Sequence, residues 1–271
     1  MDFWYLDDGT VVAHPALAVP FLEAFDRNSA QVGATRNREK TTVSLLCTQA
    51  EADLRAADWQ LTQLSALADV SVAPDSLVAL GAETTSGEMV ARQFREKTKI
   101  AGSMLRRLPL CQDAQVELVL QRTCLGTSKV NHLLRASGAE LAADGEALRA
   151  FDKVQEEGLR RLVPGLTADG VEQALRPAGL AGIGLCCAEK VAASANLASL
   201  VTAWPLVKDM ADACEVAGLF RSEDLMWELE QARIQAQELV RAQVGGADKP
   251  FLDDFVRKVA ERASADWQLL R

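Results

Sequence analysis

The chain has little of what most compact chemical motifs require. Its 271 residues include two histidines, and its six cysteines stand at 47, 111, 124, 186, 187 and 214 without a C-x-x-C pair. That spacing gives neither a zinc site nor a disulfide framework, so the thiols read as reduced and mostly buried. The vicinal pair Cys186-Cys187 falls on a predicted helix with no histidine near it, and reads as structural. There is no phosphate-binding glycine loop, no nucleophile elbow and no Cys/His pair. No apolar run approaches the ~20 residues that span a bilayer. Met1-Asp2-Phe3-Trp4-Tyr5 lacks a basic n-region and a cleavage site. These absences predict an intracellular protein, nuclear or cytoplasmic, with no membrane and no disulfide-linked partner.

What is present is ordinary globular composition, 49% hydrophobic and 25% charged, in a chain long enough to bury a core. The net charge of −9 makes it a poor general nucleic-acid binder. The charge is uneven, however. Residues 88–135 carry nine bases (Arg92, Arg95, Lys97, Lys99, Arg106, Arg107, Arg122, Lys129, Arg135) against four acids, Glu88, Glu96, Asp113 and Glu117. A basic region on an acidic chain is either a solvated helix face or a phosphate-tracking one.

The organising stretch is Phe3-Trp4-Tyr5-Leu6-Asp7-Asp8-Gly9-Thr10-Val11-Val12. Aromatic and β-branched residues favour strands, and Asp-Gly suits a two-residue hairpin turn. The spacing predicts a β-hairpin holding Asp7 and Asp8 at its tip. Paired carboxylates there suit Mg²⁺, which takes oxygen ligands, or they form an incidental acidic turn.

Behind the hairpin, 15–32 reads as a helix stopped by Gly33, its first turn irregular up to Pro20. A polar turn and a strand over 42–47 follow, the pattern of a helix covering an antiparallel sheet. A helix over 49–67 and two strands flanking Pro74-Asp75 come next. A long basic helix opens at 86 or 87, with Met89, Val90, Phe94, Ile100 (or Lys97), Met104 and Leu108 inward, and Pro109 ends it. The rest reads as helical: 112–124 (Val116, Leu118/Val119 and Leu120 inward), 128–136, 141–162, a short helix from 168, 186–204 closed by Pro205, 206–216, 223–244 and 250–267. These stripes are core. The pentapeptide Ala-Asp-Trp-Gln-Leu at 57–61 and 265–269 has no longer period behind it and is a coincidence.

In order along the chain, three pieces resemble a known family. Tyr5-Leu6-Asp7-Asp8-Gly9 resembles the Y/F-x-D-D catalytic hairpin of reverse transcriptases. Gly33-Ala34-Thr35-Arg36-Asn37-Arg38-Glu39-Lys40-Thr41 resembles the next palm motif of non-LTR (LINE-type) enzymes, roughly G-x-x-x-N-x-x-K-T. Val78-Ala79-Leu80-Gly81 resembles the primer-grip hairpin. The basic helix then stands where a thumb begins, and the later helices resemble the helical tail of retroelement proteins.

The resemblance implies an α+β, predominantly α-helical chain: a partial palm over 1–85, a thumb-like region over 86–163 and a helical tail over 164–271. It implies RNA-directed DNA synthesis by two-metal nucleotidyl transfer, with Mg²⁺ as cofactor and an RNA/DNA template–primer as partner. Asp7 and Asp8 would be the metal ligands, and Lys40 the cation near the leaving pyrophosphate. Leu80 and Gly81 would help place the primer end, and Arg92, Arg95, Lys97, Lys99, Arg106 and Arg107 would track the duplex backbone. The departure is the further palm aspartate of such enzymes. Asp2 cannot replace it, because five residues of extended strand span about 16 Å. The chain thus resembles the back half of a reverse transcriptase and is expected not to polymerise. The other reading is a non-catalytic helical scaffold or interaction protein.

Overall fold

Aromatic Phe3, Trp4 and Tyr5 lie on β1 (Asp2–Tyr5), which pairs antiparallel with β2 (Asp8–Val11) in the computed structural model. The structure describes residues 2–5, 8–11, 15–44, 71–72, 78–79, 81–83, 87–176, 179, 181–216, 221–243 and 257–258. It divides into two units, Met1–Ser86 and Gly87–Arg271. Among the described residues it is predominantly α-helical, with strands confined to short pairs. The helices predicted over 49–67 and 250–267, and both copies of the pentapeptide, lie outside the described residues, except that residues 257–258 are helical.

In the first unit, α1 (Pro15–Gln31) runs unbroken through Pro20, so the irregular first turn predicted there is not seen. Proline costs a helix one N–H bond; five residues from the start, it lies just past the turn whose N–H groups have no partner anyway. Phe21 and Phe25 stack on α1 with ring centroids 6.2 Å apart. The sheet differs from the prediction. β3 (Thr42–Val43) pairs in parallel with β4 (Ser71–Val72), whereas β5 (Val78–Ala79) pairs antiparallel with β6 (Ala82–Glu83). The two strands flanking Pro74-Asp75 are therefore not partners of each other. Local pattern specifies a strand but not its neighbour, which is chosen by long-range pairing.

The second unit opens with α2 (Gly87–Leu105). Its buried side is Val90, Ala91, Phe94, Thr98, Ala101, Gly102 and Leu105, while Ile100 and Met104 are exposed. The predicted inner stripe holds at Val90, Phe94 and Leu108 and fails at Ile100 and Met104. Glycine and alanine at 101–102 let a neighbouring helix approach closely, and that approach outweighs the larger side chains in setting the buried face. A Cβ at Gly102 would sit 3.3 Å from Val154 Cγ1 on α5 (Glu146–Leu162). On the same interface Phe94 and Phe151, both fully buried, meet edge-on at 5.7 Å and 63°.

Between them α3 (Ala114–Leu120) begins at Asp113, whose carboxylate accepts the Gln115 and Val116 N–H groups. The helix then widens into a π-turn over Gln121–Leu125. Val116, predicted inward, is exposed; of the Leu118/Val119 alternatives Leu118 is half-buried and Val119 exposed; Leu120 is half-buried, and Glu117, Gln121 and Leu125 are buried. Glu117 is buried within 3.4 Å of Arg161. Gln121 Nε2 donates to the Gln155 carbonyl at 2.8 Å, and Gln155 Nε2 donates to the Leu125 carbonyl at 2.8 Å. The Gln155 amide thus supplies a partner to a carbonyl of the π-turn, while the Gln121 amide reaches across to a carbonyl of α5.

The long helix predicted over 141–162 is two: α4 (Asn131–Asp144) stops at Gly145 (φ +70), and α5 starts there. α4 kinks at Ser137 (φ −140, ψ 30), and Asn196 Nδ2 donates to the Arg135 and Ala136 carbonyls at 3.0 and 3.2 Å. After α6 (Ala168–Ala174) the chain enters α7 (Ala188–Val216), which is continuous through Pro205 where two helices were predicted. Val201 and Ala211, on either side of the proline, are both buried, so tertiary packing holds the helix together across the lost hydrogen bond. α8 (Ser222–Gln243) packs back on α7, and Ala139, Ala193, Leu197, Val201, Ala236 and Val240 form the core shared by α4, α7 and α8. Among the described residues, no helix is long and apolar enough to cross a membrane.

Candidate functional site

The register Tyr5↔Asp8 and Trp4↔Gly9 leaves only Leu6 and Asp7 between β1 and β2. The Asp8-Gly9 step therefore lies within strand β2 and is not the turn that its composition predicts. Pairing of Phe3 with Thr10 and Asp2 with Val11 sets this register. Asp8 is the first paired residue of β2; Asp7 lies outside the described residues.

The segment 33–41 has a structural role for nearly every special residue in it. Gly33 takes φ +75 at the end of α1, with Ala34 N–H donating to the Ser29 carbonyl at 3.0 Å and Gly33 N–H to the Ala30 carbonyl at 3.2 Å. This is the paired closure of a helix that favours glycine at C′. Arg36 folds back onto α1, its Nε and Nη2 donating to the two Asp26 oxygens at 2.9 and 3.0 Å. The guanidinium holds the Asp26 carboxyl below its ordinary value. Asn37 caps the one-turn 3₁₀ helix Arg38–Lys40, its side chain accepting the Lys40 N–H at 3.2 Å, and Thr41 Oγ1 donates to the Asn37 carbonyl at 2.8 Å. Lys40 itself is exposed, and its ammonium has no hydrogen-bond or ion-pair partner among the described residues.

Gly81 occupies the turn between β5 and β6 at φ +80, a conformation that favours glycine, while Leu80 lies outside the described residues. Ala82 and Glu83, just after it, are buried.

On α2, Arg92, Arg95 and Lys99 recur at spacings of three and four, the same side of a helix, and Arg106 follows in the turn just past its end. Two of these cations are already engaged. Arg95 lies 2.8 Å from Glu88 and Lys99 2.6 Å from Glu96. Arg92, Arg106 and Arg107 are exposed, and Lys97 is half-buried.

No family model matches the chain, and comparison with curated proteins and with solved structures finds no match.

One cluster was not anticipated. Asp152 of α5 caps the start of α7: its Oδ1 accepts the Ala188 N–H at 2.7 Å, and its Oδ2 accepts the Glu189 N–H at 3.0 Å and the Cys187 thiol at 2.9 Å. Burial pushes the Asp152 carboxyl up, against the hydrogen bonds that pull it down. Burial, and then the carboxylate itself, push the Cys187 thiol up to about 12. Glu189, on the same turn, pairs with Arg149 at 3.1 Å. Asp152, Cys187 and Glu189 present donor atoms within 4.8 Å of one another. A protonated thiol beside a carboxylate that already accepts two backbone N–H groups does not fit Mg²⁺, which takes oxygen ligands. The arrangement is a cap made across two helices.

The sequence signal for this cap was the acceptor-poor start of α7, which has no Ser, Thr, Asp or Asn immediately before Ala188. Cys186 and Cys187 precede the helix and do not lie on it, and Cys186, with Cys111 and Cys124, is exposed, contrary to the expectation of mostly buried thiols. All four of these cysteines are free.

Proposed function

We propose that the first unit is the closing part of a reverse-transcriptase palm, followed in the second unit by a thumb-like basic helix and a helical tail. On this reading the ancestral reaction is RNA-directed DNA synthesis. Mg²⁺, when bound, would supply charge stabilisation at Asp7 and Asp8. The observation that carries the reading is the segment 33–41. Gly33, Asn37 and Thr41 each complete a local turn, and the one remaining residue of the motif, Lys40, is held on that turn with its ammonium exposed. The hairpin register, which leaves two residues between the strands with Asp8 immediately after them, is the second support.

Two measurements test it. Purified protein should give no primer extension with Mg²⁺ or Mn²⁺, because Asp2, the one aspartate before Asp7, is about 16 Å away along an extended strand and cannot stand in for the further palm aspartate of such enzymes. Processive, Asp7-dependent nucleotide incorporation would contradict that. Binding to a primer–template duplex should weaken with salt, its slope falling by about one per phosphate contact removed. Neutralising Arg92, Arg106 or Arg107 singly should reduce the slope more than neutralising Arg95 or Lys99 singly, since the latter two are already paired with glutamates. Duplex binding that ignores all five changes supports instead a helical scaffold whose basic face is simply solvated.

A further inference from the structure

Leaving α1 at Gly33, the chain runs without regular structure to Asn37, which is extended, before the Arg38–Lys40 turn. Nothing in that path by itself aims the turn, because residues 31–35 are all exposed and an open loop can swing. One side chain fixes it. Arg36 reaches back ten residues to Asp26 in a two-point fork, and its side chain is only 8% exposed against 32% for Asp26. A planar fork on a carboxylate sets orientation as well as distance, which a single contact cannot do. The base of the turn is thereby tied to the rigid body of α1, four residues before Lys40.

We propose that Asp26 and Arg36 are positioning residues for Lys40, holding its ammonium where an incoming polyphosphate is met. The inference rests on the reading of Lys40 as the pyrophosphate-facing cation. Neither Asp26 nor Arg36 touches the anion; each acts through the turn. Glu39 and Arg38, the neighbouring charges on that turn, are both exposed.

The sign of one substitution separates this from simple electrostatics. Asp26 is an anion near a cationic turn, so Asp26→Asn removes a repulsive charge and, on charge alone, should tighten binding of an anion. If the fork positions Lys40, the same change should weaken binding. The experiment titrates the full chain with inorganic pyrophosphate without divalent metal, followed by phosphorus NMR, with circular dichroism to verify the fold. Lys40→Gln should weaken binding about tenfold, the loss of one charge-assisted contact. Asp26→Asn should weaken it in the same direction, and the exchanged pair Asp26→Arg with Arg36→Asp, which rebuilds the fork, should restore it. Binding unchanged or tightened in Asp26→Asn, with Lys40→Gln still impaired, overturns the positioning role and leaves the Lys40 reading standing. Pyrophosphate binding that is indifferent to Lys40→Gln overturns that reading, and the inference with it.

Discussion

Replacing Asp152 with alanine removes one side chain that three donors use. The Ala188 and Glu189 N–H groups lose their acceptor at the start of a 29-residue helix, and the Cys187 thiol loses its own. Loss of an N-cap costs about 1 kcal/mol. Ala188 is fully buried, so its N–H gains no water in exchange, and an unpaired buried donor adds about 1–3 kcal/mol. Relief of the buried charge returns part of this. The expected loss is about 2 kcal/mol, measured by urea unfolding followed through helical circular dichroism, with the slope against urea unchanged. A loss under about 0.5 kcal/mol, the level of an unimportant surface change, would refute the cap as the link between α5 and α7. The pH dependence gives an independent check. Burial raises the Asp152 carboxyl above 3.8, so the folded state binds its proton more tightly than the unfolded state. The stability that protonation contributes is full below the ordinary value and is lost as pH rises through the raised one. Measured against Asp152→Asn, which cannot titrate, wild-type stability should therefore fall from the acid side through that window and then level off.

Gly138→Ala should cost about 3 kcal/mol or more, because the new Cβ would lie 2.2 Å from the Ala192 carbonyl oxygen at the α4–α7 crossing and backbone cannot yield as a side chain can; thermal unfolding tests it, and a tolerated alanine would mean the helices cross further apart. Phe94→Ala and Phe151→Ala should each cost about 3–5 kcal/mol, with a coupling of about 0.5–1.5 kcal/mol in the double-mutant cycle from their edge-on contact. Gln121→Met should change stability by less than about 1 kcal/mol despite the residue's complete burial. The Gln121 oxygen has no partner, so the hydrogen bond lost is offset by an acceptor no longer stranded.

Much of the local structure is legible in the sequence. The aromatic and β-branched residues of the first hairpin, the stop at Gly33, the burial of Val130, Leu133 and Leu134, and the outlines of α1, α2 and α8 all follow from periodicity and turn chemistry. Such signals act within a few residues and need no partner. Of the candidate site, charge and spacing mark Asp7, Asp8 and the basic stretch on and just after α2, because both are written in one dimension, whereas Lys40 is marked only by the family resemblance.

Tertiary structure decided what those signals face. It paired β3 with β4 and not β4 with β5, carried α7 through Pro205, and buried Ala101 and Gly102 in preference to Ile100 and Met104. It also joined residues far apart in the chain: Arg36 to Asp26, Asn196 to the kink of α4, and Asp152 to Cys187 and the start of α7. The physical reason is the same in each case. Propensity and hydrophobic period are sums over neighbours in sequence, whereas close packing and the pairing of buried polar groups are settled between elements, where one small residue or one distant acceptor outweighs the local pattern.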